Sequence, residues 1–242
     1  MSRSTVEVSV VIPCYNEGGL LNENFKKLHH ELEALERSFE VVFVDDGSQD
    51  NTCALIKEIC NAHPFCSALY NNENIGRGAT FMKGADQSNG NYVGFLDIDL
   101  EVSSTFLPDV IEALDQGADV ASVYREYKLQ WQPIFLLRAL LSTSYKRLVR
   151  WYLKLPLKDT ETGFKFFRKK AYLEIRKSCV SNHWFWDTEV MALAYWSGYD
   201  VREVKGEFIK NVKKRSTVRI IPDTLAYMKE IKKFKQRMKK RS

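Results

Sequence analysis

The sequence predicts a single α/β domain with a mostly parallel central sheet and helices on both faces. Short apolar runs alternate with helix-periodic segments through the first half of the chain, and these runs are apolar throughout rather than at every second residue. Strands buried on both faces have this continuous pattern, which is typical of parallel sheets covered by helices. A chain of 242 residues, 45% of them hydrophobic, can bury one full core of this kind.

The first half of the chain is predicted to alternate strand and helix. Continuous apolar runs predict strands at 8–12, 41–44, 68–70 and 92–96. Helices are expected where apolar residues recur every three or four positions, or where polar residues can cap a helix, at 20–35, directly after 48–51 and at 78–87.

The second half is less regular. Helices are expected at 105–116, 133–151 and 184–196, and strands at 120–123, 164–167 and 201–209. Pro222 fits the first turn of a last helix, where its missing N–H costs no hydrogen bond. No repeat or linker is visible, so we expect one domain over 1–228, followed by a basic C-terminal arm at 229–242.

The positive charge of the chain is concentrated at its C-terminal end. The net charge is +5, but residues 229–241 alone carry +7, which leaves the rest slightly acidic. Such a basic run is often only a solvated helix face. The alternative is attraction to an anionic surface, either a lipid membrane or, as a weaker hypothesis, nucleic acid.

The cysteines and the hydropathy of the chain indicate the redox compartment that it suits and whether it contains a membrane span. The five cysteines include no C-x-x-C pair, so neither a zinc site nor a disulfide framework is predicted, and a reducing compartment is favoured. The first residues do not resemble a secretory signal, and no run approaches the ~18 apolar residues of a membrane span.

Two aspartates directly follow the fourth predicted strand. Alternation along an extended chain places Asp97 and Asp99 on one side and turns Ile98 towards the core, and Glu101 continues the pattern. Carboxylate oxygens are the ligands that Mg²⁺ and Mn²⁺ prefer. A solvated acidic turn is the alternative. A cation site is favoured because parallel sheets bind ligands beyond the carboxyl ends of their strands.

Two further candidate segments follow predicted strands. Asp45 and Asp46 can accept hydrogen bonds from a nucleobase or a ribose, or they can cap the next helix, and one can do each. Arg77 lies between two glycines, which allow close approach of the backbone to a ligand, and its guanidinium can meet a phosphate. The alternative for this second segment is an ordinary loop ahead of a helix.

Three charged residues in the second half complete the candidates. Arg125 follows a predicted strand and can face a diphosphate, although a surface arginine is equally consistent with the pattern. Asp159 lies in a polar turn, and Asp187 lies among aromatic residues at a helix start. The alternative for Asp187 is a structural role alone, in which its negative charge interacts favourably with the helix dipole.

Several of these segments together resemble the motifs of family 2 glycosyltransferases of the GT-A fold. The motif segments, in chain order, are 10–17, 44–52, 74–78, 90–100 and 159–165. The resemblance covers almost the whole chain, to about Thr217. Within the family the chain is most similar to the dolichyl-phosphate and polyprenyl-phosphate hexosyltransferases, of the β-glucosyltransferase or mannose synthase type, and 159–165 and 186–189 favour the glucosyl branch.

The resemblance implies roles for individual residues. A metal, Mg²⁺ or Mn²⁺, is expected on Asp97 and Asp99, with Glu101 as a further ligand. Catalytic roles are expected for Asp97, Asp99, Arg125, Asp159 and Asp187. Binding of the nucleotide sugar is expected at Pro13, Tyr15, Glu17, Val44, Asp45, Asp46, Arg77, Gly78, Asp97, Ile98, Asp99, Arg125, Lys214 and Arg215.

The implied reaction is an inverting transfer of a hexose from UDP-glucose or GDP-mannose to a polyprenyl or dolichyl phosphate. The metal and Arg77 or Arg125 stabilise the departing diphosphate. A lipid phosphate acceptor needs no general base, whereas a glycan hydroxyl does, with Asp159 or Asp187 as candidates. Transfer to a glycan hydroxyl and a non-catalytic nucleotide-sugar-binding module are the alternatives.

A membrane location is also expected. Residues 131–151 mix large apolar with basic residues, as segments at a bilayer interface do, although a core helix with basic flanks has the same composition. Together with the basic arm, this segment predicts peripheral association with an anionic membrane on its cytoplasmic side.

Overall fold

The computed structural model of the protein describes residues 6–127, 147–208 and 220–240. The strands are β1 (Val8–Cys14), β2 (Phe39–Asp45), β3 (Cys66–Tyr70), β4 (Tyr92–Leu96), β5 (Val120–Tyr127), β6 (Phe164–Arg168) and β7 (Val201–Phe208). The first helices are α1 (Leu21–Ala34), α2 (Thr52–Ala62), α3 (Arg77–Gln87) and α4 (Leu107–Asp115), the last preceded by a 3₁₀ turn at Ser104–Phe106. The described part of α5 covers 147–153, and α6 (Lys169–Arg176), α7 (Trp186–Trp196) and α8 (Ile220–Lys239) follow.

The strands form one sheet in the order β3-β2-β1-β4-β6-β5-β7. β6 runs antiparallel to its neighbours β4 and β5, and the other described strands run parallel to one another. The start of β6 therefore lies at the edge of the sheet where the parallel strands end. We call this edge the carboxyl edge, and all candidate site residues on the sheet fall near it.

Hydrophobic clusters cover both faces of the sheet. One cluster joins the strands to α1, α2 and α4, and the other joins them to α3, α5, α6, α7 and α8. Strand residues that are neighbours in sequence alternate between the clusters, as Val10 and Val11 do. The continuous apolar runs are thus explained, and the predicted α/β fold with helices on both faces is confirmed.

Several predicted elements differ from the observed ones. α6 was not predicted, and β5 continues to Tyr127 rather than ending at 123. α8 begins at Ile220, two residues before Pro222, and most of the helix predicted at 133–151 lies outside the described residues. Among the described residues, none of the helices combines the length and apolar composition needed to cross a bilayer.

The basic C-terminal segment packs on the domain. The boundary expected after residue 228 falls inside α8, where Ile231 and Phe234 are buried in the second cluster. The Arg237 guanidinium pairs with the fully buried Glu189 of α7. Residues 229–239 are therefore the second half of α8, with one face on the core.

Candidate active site

The predicted site residues converge at the carboxyl edge of the sheet. Asp97 follows β4, Arg125 lies in β5, and Gly163 immediately precedes β6. A small cleft of about 20 Å³ opens between these strands, lined by Asp97, Asp99, Glu101, Val102, Arg125, Gly163 and Phe208. The structure thus brings together two aspartates and an arginine that are up to 28 residues apart in sequence.

A tight turn after β4 sets the two aspartates. Ile98 is 1% exposed and packs in the core, as the alternation predicted. Leu100 adopts a left-handed conformation at φ 50°, and its N–H donates to the carbonyl of Asp97 at 3.2 Å. The N–H of Glu101 donates to Oδ1 of Asp99 at 3.2 Å, and the Asp97 N–H donates to the carbonyl of Gly163 at 2.9 Å.

The donor set of this turn fits a hard divalent cation. Asp97 and Asp99 offer carboxylate oxygens at the mouth of the cleft, and Mg²⁺ or Mn²⁺ sites commonly use one or two carboxylates with waters and substrate phosphates. Within the described ranges, no three His, Cys, Asp or Glu side chains are grouped as a metal site. The third-ligand role of Glu101 therefore stays a prediction.

Four alternating charges extend from the cleft into the core, and we call them the charge row: Asp97, Arg77, Asp187 and Lys165. Arg77 Nη2 lies 3.0 Å from Oδ2 of Asp97, and Arg77 Nε lies 3.2 Å from Oδ2 of Asp187. The other oxygen of Asp187 pairs with the ammonium group of Lys165. Lys165 is fully buried and Asp187 is 1% exposed.

Aromatic rings support the cations of the row. The Arg77 guanidinium lies 4.5 Å from the centre of the Phe95 ring and 5.0 Å from that of Trp184, and Lys165 Nζ lies 5.5 Å from the ring centres of Phe95 and Trp186. The negative face of an aromatic ring attracts a cation, most strongly where water is excluded. These contacts orient Arg77 towards Asp97.

Burial and neighbouring charges shift the pKa values of both cations. Burial on its own would lower the pKa of Arg77, but the carboxylates of Asp187 and Asp97 outweigh it and raise that pKa. Burial lowers the pKa of Lys165, and the Asp187 carboxylate opposes this effect. Arg77 is therefore a permanent cation beside the cleft.

Asp187 and Asp159, the two candidate general bases, are both engaged in ion pairs. Asp187 is held by Arg77 and Lys165. Asp159 accepts from Arg125 Nε at 2.7 Å and from Arg125 Nη2 at 3.0 Å, a bidentate pair that also fixes the arginine. Both carboxylates are therefore held by cations, and the general-base role expected for each stays a prediction.

The structure gives different roles to Asp45 and Asp46. Asp45 Oδ2 accepts from the N–H of Ser48 at 3.1 Å, a bond that closes the turn ahead of α2 and does not cap the helix, and its Oδ1 is buried without a hydrogen-bond partner. The Asp46 carboxylate accepts from the N–H groups of Ile75 and Gly76 at 2.9 and 3.1 Å. Asp46 therefore fastens the loop that carries Arg77 to the end of β2.

The glycines beside Arg77 make room for neighbouring protein atoms. Gly76 has φ 97°, and a Cβ there would lie 2.3 Å from Nδ1 of His183. A Cβ at Gly78 would lie 2.4 Å from Cβ of Trp186. Both positions let the segment before α7 pack closely against the start of α3, and this contact brings Asp187 to Arg77.

The segment after β1 has mixed exposure. Tyr15 is 43% exposed, Pro13 is partly buried and Glu17 is buried. The side chain of Val44 is fully buried in the core, so only its backbone can face a ligand. The remaining binding candidates, Lys214 and Arg215, lie outside the described residues, as does Lys213.

The sequence assigned no ion-pair role to Lys165 and Glu189, although they lie in the motif segments 159–165 and 186–189. Both are fully buried, Lys165 between phenylalanines in β6 and Glu189 in α7, which is buried from Trp186 to Ala194. Glu189 also accepts from the N–H groups of Val180 and Ser181 at 3.0 and 2.7 Å. The signal in the sequence was a charge inside an otherwise apolar element, which requires a buried partner.

Solved structures share this arrangement of sheet and helices. The glucosyl-3-phosphoglycerate synthase of Mycobacterium tuberculosis, in complex with Mn²⁺, uridine-diphosphate and phosphoglyceric acid, superposes with a TM-score of 0.67. The match covers 95% of this chain and 77% of that chain at 14% identity, so it shows the fold alone. The fold is that of the GT-A glycosyltransferases.

The family follows from sequence comparison. A family model described as glycosyl transferase family 2 matches residues 9–176, more than half of the chain. The chain therefore belongs to glycosyl transferase family 2.

Two relatives match this chain over a part of their own length. Glycosyltransferase AglD of Haloferax volcanii is 30% identical over 206 residues, which is 82% of this chain and 32% of that protein. An undecaprenyl-phosphate 4-deoxy-4-formamido-L-arabinose transferase of Pseudomonas savastanoi pv. phaseolicola is 35% identical over 120 residues, which is 49% of this chain and 35% of that protein. The chain thus spans about a third of the length of these relatives.

Proposed function

We propose that the chain transfers a hexose from a nucleotide sugar to a polyprenyl phosphate, with a divalent cation bound by Asp97 and Asp99. The observation that carries the proposal is the cleft at the carboxyl edge, where these two carboxylates lie beside the guanidinium groups of Arg77 and Arg125. A bound cation and two guanidinium groups suit a nucleoside diphosphate, because negative charge develops on the departing diphosphate as its bond to the sugar breaks. The name of AglD agrees with glycosyl transfer, and that of the undecaprenyl-phosphate relative agrees with a polyprenyl-phosphate acceptor, although the sugar it names is an arabinose. The UDP and Mn²⁺ bound in a structural neighbour agree with a nucleotide donor and a divalent cation.

The chemistry assigned to the chain is charge compensation and orientation. A bound Mg²⁺ or Mn²⁺ would neutralise the diphosphate oxygens as a Lewis acid. Arg77 presents a second positive charge at the cleft, and its position is fixed by Asp187 and by the ring of Phe95. Arg125, held rigidly by Asp159, is the third group placed to bind a phosphate.

Engagement of both candidate bases favours a phosphate acceptor over a hydroxyl acceptor. A lipid phosphate is already an anion at neutral pH and attacks the sugar without losing a proton to the protein. A sugar hydroxyl needs a base within hydrogen-bond reach. Asp159 and Asp187 are each paired with cations, so the described residues suit the phosphate acceptor better.

The proposed membrane partner is supported by the surface of α5 and α8. Trp151 is 75% exposed, and Lys235 Nζ donates to the carbonyl of Tyr152 at 2.8 Å, which joins the two helices side by side. The exposed lysines among the described residues of α8 are Lys229, Lys232, Lys233 and Lys239, and the exposed Lys240 follows the helix directly. An exposed tryptophan beside a basic helix face fits the interface of an anionic bilayer, where each lysine contributes about 1 kcal/mol.

The transfer test uses purified protein, radiolabelled UDP-glucose or GDP-mannose, and either dolichyl phosphate, undecaprenyl phosphate or an oligosaccharide. We expect label only in the lipid phosphates, only with Mg²⁺ or Mn²⁺, and a loss of at least about a hundredfold in Asp99→Asn. Asp109→Asn, which removes an exposed acid on α4, is the matched control and keeps full turnover. Undiminished transfer in EDTA, or transfer to the oligosaccharide alone, would overturn the proposal.

The membrane test compares flotation with vesicles of neutral or anionic lipid. Binding is expected only to anionic vesicles, weakened by salt and by the pair Lys232→Glu and Lys233→Glu. The control pair is Lys26→Glu and Lys27→Glu on α1, which packs on the opposite face of the sheet. Equal loss in both pairs, or binding to DNA in place of vesicles, would argue against a lipid partner.

A further inference from the structure

The charge row ends in a lysine that has no place in the proposed chemistry. Lys165 is fully buried on β6, opposite Phe95 of β4, and its ammonium group contacts Asp187. Burying a lysine and its counter-ion is expensive, and an apolar pair of similar volume is often as stable or more so. Core packing alone therefore does not account for a lysine at this position.

The row connects that lysine to the cleft through direct contacts. Asp187 uses one oxygen for Lys165 and the other for Arg77, so the charge of Lys165 decides how strongly Asp187 attracts the guanidinium. Arg77 in turn shares its charge between Asp187 and Asp97. Because electrostatic interactions are stronger in the protein interior than in water, removing a charge at one end of the row changes the electrostatic potential at the other end.

We propose that Lys165 and Asp187 are positioning residues that set the net charge of the proposed cation site by holding Arg77 against Asp97. Two carboxylates and two cations make the row neutral. Lys165 partly satisfies Asp187, which leaves more of the Arg77 charge for Asp97 and for an incoming diphosphate. This inference rests on the proposed function, because it assumes that Asp97 binds the cation.

The proposal makes opposite predictions for two substitutions that both break the row. Lys165→Met leaves Asp187 to draw on Arg77, so Asp97 becomes more negative and Mn²⁺ binds more tightly. Asp187→Asn leaves two cations facing Asp97, so Mn²⁺ binds more weakly. Removing one charge about 10 Å from a divalent cation changes its affinity on the order of tenfold at an effective dielectric constant of about 40.

Binding of UDP without metal supplies the reciprocal measurement. UDP is an anion, so its affinity is expected to fall in Lys165→Met and to rise in Asp187→Asn. Mn²⁺ affinity is read from the free-ion electron paramagnetic resonance signal, and UDP affinity by calorimetry, neither of which requires turnover. Lys177→Met removes the same charge from an exposed ion pair on α6 and serves as the control that shifts neither affinity.

The outcomes separate this inference from the proposed function. If both row variants weaken Mn²⁺ binding, the residues serve only to hold the fold and the inference is wrong, even with a wild type that transfers sugar. Wild-type protein that binds no Mn²⁺ would contradict both the proposed function and this inference. Should either variant fail to fold, Arg77→Met is informative in its place: it must tighten Mn²⁺ and weaken UDP, and unchanged Mn²⁺ affinity would overturn the inference.

Discussion

Gly163 is the position where a single added methyl group would disturb the site with little effect on the fold. Its carbonyl accepts from the Asp97 N–H at 2.9 Å, so the two backbones are in direct contact. A Cβ at Gly163 would lie 1.7 Å from Oδ2 and 2.4 Å from Cγ of Asp97, and 3.1 Å from Nη2 of Arg77. Gly163→Ala therefore forces the Asp97 carboxylate away from its position.

The size of the effect follows from these distances. Nonbonded atoms rest at about 3.5 Å, so the carboxylate oxygen must move by about 1.5–2 Å. The clashing group is the end of a side chain rather than backbone, and we expect a stability loss of only about 1 kcal/mol, or a Tm lower by about 2–4 °C. A displacement of about 1 Å at a reacting centre can cost a hundredfold in rate, so turnover should fall by about that factor or more.

The assay pairs sugar transfer with thermal unfolding of the same preparation. Gly19→Ala is the matched control, because a Cβ there would have no heavy atom within 4 Å, and it should leave both turnover and Tm unchanged. A Gly163→Ala protein that keeps more than half of wild-type turnover at saturating Mn²⁺ would refute the placement of Asp97 in the reaction.

Three further predictions concern the surroundings of the site. Arg237→Met should lower the free energy of unfolding, measured in urea, by about 3 kcal/mol, because the buried Glu189 loses its cation. The control Arg202→Met breaks an exposed ion pair and should lower it by less than about 1 kcal/mol. Equal losses in the two variants would contradict the packing of α8. Burial, with a hydrogen bond to Asp45, raises the pKa of Cys53 to about 11, and since the thiolate is the nucleophile, iodoacetamide should label Cys53 slowly at pH 8 and progressively faster as the pH approaches 11. Rapid labelling at pH 8, read by peptide mass spectrometry, would be inconsistent with that environment. Asp46→Asn removes the charged acceptor of two backbone N–H groups in the loop that carries Arg77. It should weaken the binding of UDP about tenfold and lower the free energy of unfolding by about 1–3 kcal/mol. An unchanged UDP affinity would show that this loop does not contribute to donor binding.

The parts of the fold predicted correctly are those that one local pattern determines. β1, β2 and β4 were evident because a strand buried on both faces is apolar at every position. The orientation of Ile98 towards the core followed from alternation alone. α6 was missed because it starts directly after β6 without a capping side chain, and only three of its residues are buried.

The pairing of charges could not be predicted, because it depends on which strands and loops become neighbours. Arg77 is 20 residues from Asp97 in sequence and Lys165 is 22 from Asp187, and neither separation matches a helix or turn spacing. Their contacts require β6 to lie beside β4 and α7 to lie beside the start of α3. The ion pairs of Asp187 could not be predicted from an acid at a helix start, because the fold supplies both of its cations.

The insertion of β6 between β4 and β5 also affects when the site can form during synthesis. Asp97 and Arg77 leave the ribosome early, but the strand that places Gly163 and Lys165 beside them is made about 70 residues later, and Asp187 later still. Since a domain generally folds as a unit, an unfinished polypeptide that lacks β6 and α7 has no assembled site. If the chain transfers a sugar as proposed, a truncated or nascent chain would therefore lack the arrangement that binds the donor, and transfer would begin only once the sheet is complete.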